Sequence, residues 1–292
     1  MVIILKTALG LLTSLFGFYY FADVRKSRKT FSAMPWPGLL GTGCFTNMLD
    51  TLGIGSFAQQ TALFKFFKMV DDRVIPGTMN VGNTLPTVAQ AFIYMTVVGV
   101  EPATLAAMAV AAPAGAVLGA GFVSRLSRRR IQLGMGFGLL AIAGLLLAGL
   151  LNWFPVGGEA IGLSGGKLAV AVSMSFVFGA LQTIGVGFYA PCMATVSALG
   201  MHPITAYPIM MTATAMLMAA GSARFVKEKA YDAKAAVALT LGGIVGVLVA
   251  TYIVKSLPLT VMKWVVLAVV LYTSVWMFIS AASGAKKAPG TS

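Results

Sequence analysis

The chain has 292 residues, 58% of them hydrophobic and only 10% charged, with a mean hydropathy of +0.89 and a formal net charge of +13. A soluble protein carries about a quarter of its residues as charges, and outer-membrane barrels need period-2 alternation, so this composition argues against both classes. The Lys and Arg residues cluster between apolar runs, the distribution that orientation in a bilayer produces, so no nucleic-acid partner is expected.

Residues 2–22 form an apolar stretch containing Lys6, followed by the charged run Asp23-Val24-Arg25-Lys26-Ser27-Arg28-Lys29. A cleavable signal carries its charge before the apolar core, so residues 1–35 are expected to form an uncleaved transmembrane helix and a basic linker. Further apolar segments cover 37–69, 74–98, 103–124, 131–151, 168–199, 204–223, 235–255 and 262–282. Two of them, 37–69 and 168–199, are too long for one span of about 20 residues. Each contains a Gly-x-Gly element and reads as two short helices meeting at a turn. Gly53, Gly55, Gly185 and Gly187 are expected to supply positive φ values there.

The two elements are related. Thr51-Leu52-Gly53-Ile54-Gly55-Ser56-Phe57-Ala58 recurs as Thr183-Ile184-Gly185-Val186-Gly187-Phe188-Tyr189-Ala190, and Pro76 and Pro208 keep the same offset. Phe122-Val123-Ser124-Arg125-Leu126 likewise faces Ile253-Val254-Lys255-Ser256-Leu257. Repeated Gly-broken apolar segments are the pattern of secondary transporters. The expected fold is all-α and polytopic, with two inverted repeats over 36–151 and 167–282. Each repeat has a Gly-broken hairpin plus three spanning helices, and an extra N-terminal helix and a tail over 283–292 complete the chain.

Basic residues cluster at 25–29, at Lys65, Lys68 and Arg73, at 125–130, and at Arg224, Lys227, Lys229 and Lys234, whereas 99–102, 152–166 and 200–203 hold no Lys or Arg. If each hairpin enters and leaves on one side, all four clusters are cytoplasmic, with the N-terminus outside and Lys286-Lys287 inside. Lys255 and Lys263 fall on the opposite side, where long stems snorkel to headgroups.

Among the acidic residues, Asp50 alone lies within an apolar run, beside the first turn. An ionisable group at membrane depth is costly and points to function. It serves either as a proton carrier or as a cap accepting backbone N–H bonds of the next helix. Its repeat equivalent is Gln182. Uncharged polar residues gather around it: Asn47, Thr51, Ser56, Gln59 and Gln60, then Thr78, Asn80, Asn83 and Thr84 after Pro76. The second half offers Gln182, Thr183, Tyr189, Thr195, Thr212 and Thr214. Singly, such residues glue helices together; gathered at repeat-related places, they make a solute site. Helices starting near Ser56 and Phe188 would aim backbone N–H groups and positive dipole ends inward, a site for a small anion. Glycines at 53, 55, 185 and 187 let a solute approach the backbone.

His202 is the only histidine, and Cys44 and Cys192 read as separate free thiols. No metal site, cofactor fingerprint or phosphate-binding loop is present, and no nucleophile has a neighbouring base, so an enzyme is not expected. Gly115, Gly119, Gly242 and Gly246 could pack helices within one protomer or between two in a homo-oligomer.

The Gly-x-Gly segment near the start of each half, followed by Pro76-Gly77-Thr78 and Pro208-Ile209-Met210, resembles the TauE/SafE family of membrane proteins, the sulfite exporters. The likeness runs from Gly38 to about Ala281, with helix 2–22 as an addition. It implies export of sulfite or an organosulfonate such as sulfoacetate from a bacterium through its inner membrane. An anion channel on the same scaffold and a non-transporting membrane subunit are the alternatives.

Overall fold

The structure is a computed structural model and describes residues 2–27, 34–153, 157–252 and 259–286. Arg28, Lys29, the segment 253–257 with Lys255, Lys287 and the side chains of Lys263 and Lys286 lie outside the described set. The described residues form helices α1 (Val2–Ser27), α2 (Trp36–Thr51), α3 (Phe57–Phe66), α4 (Ile75–Val97), α5 (Pro102–Val123) and α6 (Arg128–Leu150), followed by α7 (Gly165–Gln182), α8 (Tyr189–Ala198), α9 (Ala206–Lys227), α10 (Ala233–Tyr252) and α11 (Leu259–Lys286). No strand occurs among them, only an isolated bridge between Ala160 and Met201. Proline opens several helices, with Pro76 in the first turn of α4 and Pro102 heading α5, positions where its missing N–H costs nothing.

Among the described residues, seven helices are long and apolar enough to cross a membrane: α1, α5, α6, α7, α9, α10 and α11. The chain is a polytopic helical membrane protein. α4 is absent from that set although its 23 residues reach about 34 Å at 1.5 Å per residue. Its apolar character is diluted by Thr78, Asn80, Asn83, Thr84, Thr87 and Gln90, all of them buried. These face protein rather than lipid, because α4 packs on α9 and α10 at the centre.

Both long apolar segments break as expected, between α2 and α3 and between α7 and α8. The arms are unequal, with 16 and 10 residues in the first hairpin and 18 and 10 in the second, so α7 alone has the length of a span. Each hairpin begins and ends at one end of the molecule. Thr42 near the start of α2 meets Met69 beyond α3, and Lys167 at the start of α7 donates to the Leu199 carbonyl at 3.0 Å. Gly53, Gly55 and Gly185 have φ of +87°, +89° and +103°. Gly187 is a correction, since its φ lies outside the left-handed region. The second turn reverses the chain at Gly185, and Phe188 is already helical where α8 begins.

Packing exchanges partners between the halves. α2 lies on α10 and α7 on α5, while α4 meets α9 and α6 meets α11. At α2–α10, a Cβ on Gly242 would run into the Leu40 carbonyl, and one on Gly246 into that of Cys44. At α5–α7, Gly115 abuts the Phe176 carbonyl and Gly119 that of Ala180. Each pair advances together along the chain, so both pairs run parallel. These four glycines therefore pack helices within one protomer. By contrast, α4 meets α9 through Gly77 against Phe225, Thr84 beside Ser222 at 3.1 Å, and the Tyr94–Tyr207 stack. That order is antiparallel.

The ends differ in charge. Asp23, beside the first basic cluster, accepts from Lys229 of the fourth, and Glu228 of that fourth stretch pairs with Arg125 of the third at 3.5 Å. Arg128 of the third pairs with Asp71 at 3.4 Å and with Asp72 at 3.6 Å, and Asp72 holds Lys65 of the second. All four clusters thus meet at one end. At the other, Glu101 N–H donates to Ile161 at 2.8 Å and His202 N–H to Ala160 at 2.8 Å, which joins the three loops free of Lys and Arg.

A polar cavity between two glycine turns

The last turn of α2, the first turn of α3 and the first turn of α8 converge on one small open-mouthed cavity of about 30 Å³. Asp50, Gly55, Ser56, Gln59, Gln182, Gly187 and Tyr189 line it, and with Thr214 they make eight of the residues picked out in the sequence. Thr87 of α4 and Thr214 and Met218 of α9 complete the wall with Ile54, Ile142 and Phe188. No Lys or Arg is among the described residues that line it.

Asp50 is 4% exposed. The Tyr189 hydroxyl donates to its Oδ2 at 3.0 Å and also lies 3.1 Å from Gln90 Oε1 and 2.8 Å from Met211 Sδ. The Ser56 hydroxyl, the Ser56 backbone N–H and Gln90 face the same carboxylate. Asp50 therefore bridges the end of α2, the start of α3, α4 and α8. Gln90 in turn donates to Thr51 Oγ1 at 3.0 Å, and Tyr94 donates to the Thr51 carbonyl at 2.6 Å. Thr51 is thus an anchor of the turn rather than a wall residue.

Beneath the cavity lies a buried amide network. Gln60 and Asn83 bond reciprocally, Nε2 to Oδ1 at 2.9 Å and Nδ2 to Oε1 at 2.6 Å. Asn47 donates to Asn83 Oδ1 at 2.9 Å, and Gln60 reaches Thr46 at 2.8 Å. Gln60 and Asn83 are satisfied at both ends and pin α3 to α2 and α4, while Asn47 Oδ1 stays unpartnered.

The amides of Gln59 and Gln182 behave differently. Both atoms of each are buried without a hydrogen-bond partner in the protein, as is the Thr214 hydroxyl. Leaving a buried polar atom unpaired costs about 1–3 kcal/mol, and these three groups keep their hydrogen-bonding capacity at the cavity wall. They stand beside the starts of α3 and α8, whose first backbone N–H groups have no intrahelical acceptor.

Other residues expected at a solute site lie elsewhere. Thr78 donates to the Val74 carbonyl and accepts from the Asp232 N–H at 2.8 Å, at the basic end. Asn80 donates to the Pro76 carbonyl, and Thr183 donates to that of Ala180. Gly53 lies beneath Tyr207, Gly185 lies against Met135 and Met79, and Thr212 is buried off the cavity. The sequence reading did not select Thr87, Gln90, Tyr94 or Tyr207. Thr87, Gln90 and Tyr94 follow Asn80, Asn83 and Thr84 at helical spacing, the signal that would have found them. No cluster of three or more His, Cys, Asp or Glu occurs among the described residues.

A multi-pass helical protein with two Gly-turn hairpins closing on a buried polar cavity has the build of a membrane permease. A family model described as Sulfite exporter TauE/SafE matches residues 2–147, half of the chain, and the protein belongs to that family. No curated protein and no solved structure matches it. The match begins at residue 2, so α1 falls within the family range and is not an addition to it. It ends inside α6, short of the extent read from the sequence.

Proposed function

We propose that the protein is a secondary transporter that exports a small sulfur-containing anion, sulfite or an organosulfonate such as sulfoacetate, by alternating access. The observation that carries this reading is the cavity itself: unpartnered Gln59, Gln182 and Thr214 groups beside two helix N-termini. An anion there accepts hydrogen bonds from neutral donors and gains from both dipole ends. Neutral donors hold it without a buried ion pair that would resist release. Ser56, Gln59, Gln182 and Thr214 are the contacts assigned to the solute, and Asp50 links transport to protons. The exchange of helix partners and the antiparallel α4–α9 pair support two inverted repeats that rock about the cavity. The positive-inside rule supports a cytoplasmic basic end with the N-terminus outside, and the family supports a bacterial inner membrane.

Flux in proteoliposomes tests this. Purified protein is given sulfite, sulfoacetate, sulfate or chloride, with and without a pH gradient, alongside Asp50→Asn. Saturable flux of a sulfur anion that follows the gradient only in the wild type is the expected result. Gradient-driven flux retained by Asp50→Asn would reduce Asp50 to a cap. Single-channel currents would assign a pore, and an absence of flux for all four anions would remove the sulfur-anion reading.

A further inference from the structure

We propose that the groove between α1, α5 and α9 binds one anionic phospholipid. A groove of about 480 Å³, open on one side, lies there between the helices. Leu12, Leu15 and Phe16 of α1 form one wall, and Ala219, Ala220 and Ala223 of α9 form the floor, where small side chains leave depth for an acyl chain. Val117 of α5 closes the far side. Leu15 and Val117 are 69% and 47% exposed, an apolar surface that only hydrocarbon can cover at this position along membrane-spanning helices.

One end of the groove is cationic. Arg224 and Lys227 line it, at the end of the molecule where the basic clusters meet. Arg224 lies 3.2 Å from Glu228, but Glu228 also holds Arg125 at 3.5 Å, so one carboxylate serves two guanidinium groups. The neighbouring Asp23 is occupied by Lys229 and Tyr231. Lys227 forms no ion pair among the described residues, and Arg224 Nε is buried without a partner. Positive charge is therefore in excess where an apolar channel ends, which is the complement of a phosphodiester above its chains. A zwitterionic lipid brings its own ammonium group to the same place and gains less.

Native mass spectrometry of the full chain, released from detergent after incubation with phosphatidylglycerol or phosphatidylcholine of matched chains, tests the assignment. One phosphatidylglycerol is expected to be retained at least threefold more than phosphatidylcholine. Arg224→Gln with Lys227→Gln should erase the difference, whereas Arg129→Gln with Arg130→Gln should keep it. Ala223→Leu, which fills the groove and leaves both cations, should lower retention of both lipids. Equal retention of the two lipids by the wild type, or unchanged preference in the Arg224/Lys227 variant, overturns the proposal. Displacement of the lipid by glycerol phosphate would assign the cations to a free anion and overturn it equally. None of these readouts depends on transport.

Discussion

The hydroxyl of Tyr189 and the carboxylate of Asp50 meet at 3.0 Å across 139 positions of chain, joining the second hairpin to the end of the first. A hydrogen bond to a charged group is worth about 1.5–3 kcal/mol, and each 1.4 kcal/mol is about tenfold in an equilibrium. Tyr189→Phe keeps the ring in the cavity wall and removes only this donor. Flux in proteoliposomes should fall roughly tenfold or more. Flux within twofold of the wild type would show that the bond does not set the geometry of the site.

The reciprocal Gln60–Asn83 pair is fully buried and joins α3 to α4. Truncating Asn83 strands Gln60 Oε1 and truncating Gln60 strands Asn83 Nδ2, whereas truncating both removes these two orphans along with the pair. Gln60→Ala and Asn83→Ala should each cost about 1–3 kcal/mol. The double variant should cost less than their sum by about 0.5–3 kcal/mol. Thermal unfolding of the four proteins in detergent measures this, and additive losses would contradict a shared network.

The second hairpin lacks that tether. The repeat offset carries Gln60 to Cys192, Asn83 to Ala215 and Asn47 to Gly179, none of which has an amide. Beyond the Tyr189 hydroxyl at its first residue, α8 is held by backbone caps and apolar contacts around Val196 and Cys192, both fully buried. Amide hydrogen exchange should be faster in α8 than in α3, because local opening follows local contact. Equal protection would mean that packing alone replaces the amides.

The two glycines of the second turn separate conformation from space. Gly185 sits at φ +103°, and a Cβ there would come 3.2 Å from Met135 Cε. Gly187 is outside the left-handed region, and its nearest neighbour would be Ile142 Cδ1 at 3.9 Å. Gly185→Ala should cost roughly 1–2 kcal/mol and lower Tm by several degrees. Gly187→Ala should leave Tm unchanged and raise KM for flux, since it narrows the cavity. A Tm loss in Gly187→Ala equal to that of Gly185→Ala would remove this distinction.

The breaks at Gly53 and Gly185 were legible because a left-handed residue within an apolar run admits few amino acids, and the repeat marked them twice. Asp50 was legible because a lone carboxylate among apolar residues is costly. Gln182 was found as its repeat equivalent. Partnership was harder to read. Nothing local distinguishes Gln59, whose amide is free, from its neighbour Gln60, whose amide is fully engaged. That difference is set by Asn83 and Thr46 on other helices. Asn80 and Thr183 resemble site residues in composition but spend their side-chain hydrogen bonds on their own helices, and Thr78 bonds its own helix and the Asp232 N–H. Gln90 escaped notice because its role comes from Tyr189 and Thr51, which lie on two other elements.

The crossed pairing of α2 with α10 has a cost during synthesis. Gly43 rests on Leu239, and the glycines that receive α2 lie at Gly242 and Gly246. The partner surface is translated roughly 200 residues later, about 10–40 s at 5–20 residues per second. Through that interval the nascent first half holds Asn47, Asp50 and Gln60 in the bilayer without their final enclosure. Insertion machinery that shelters polar helices is then a requirement of this topology. Two half-chains split between Trp153 and Gly157 should accumulate only when made together.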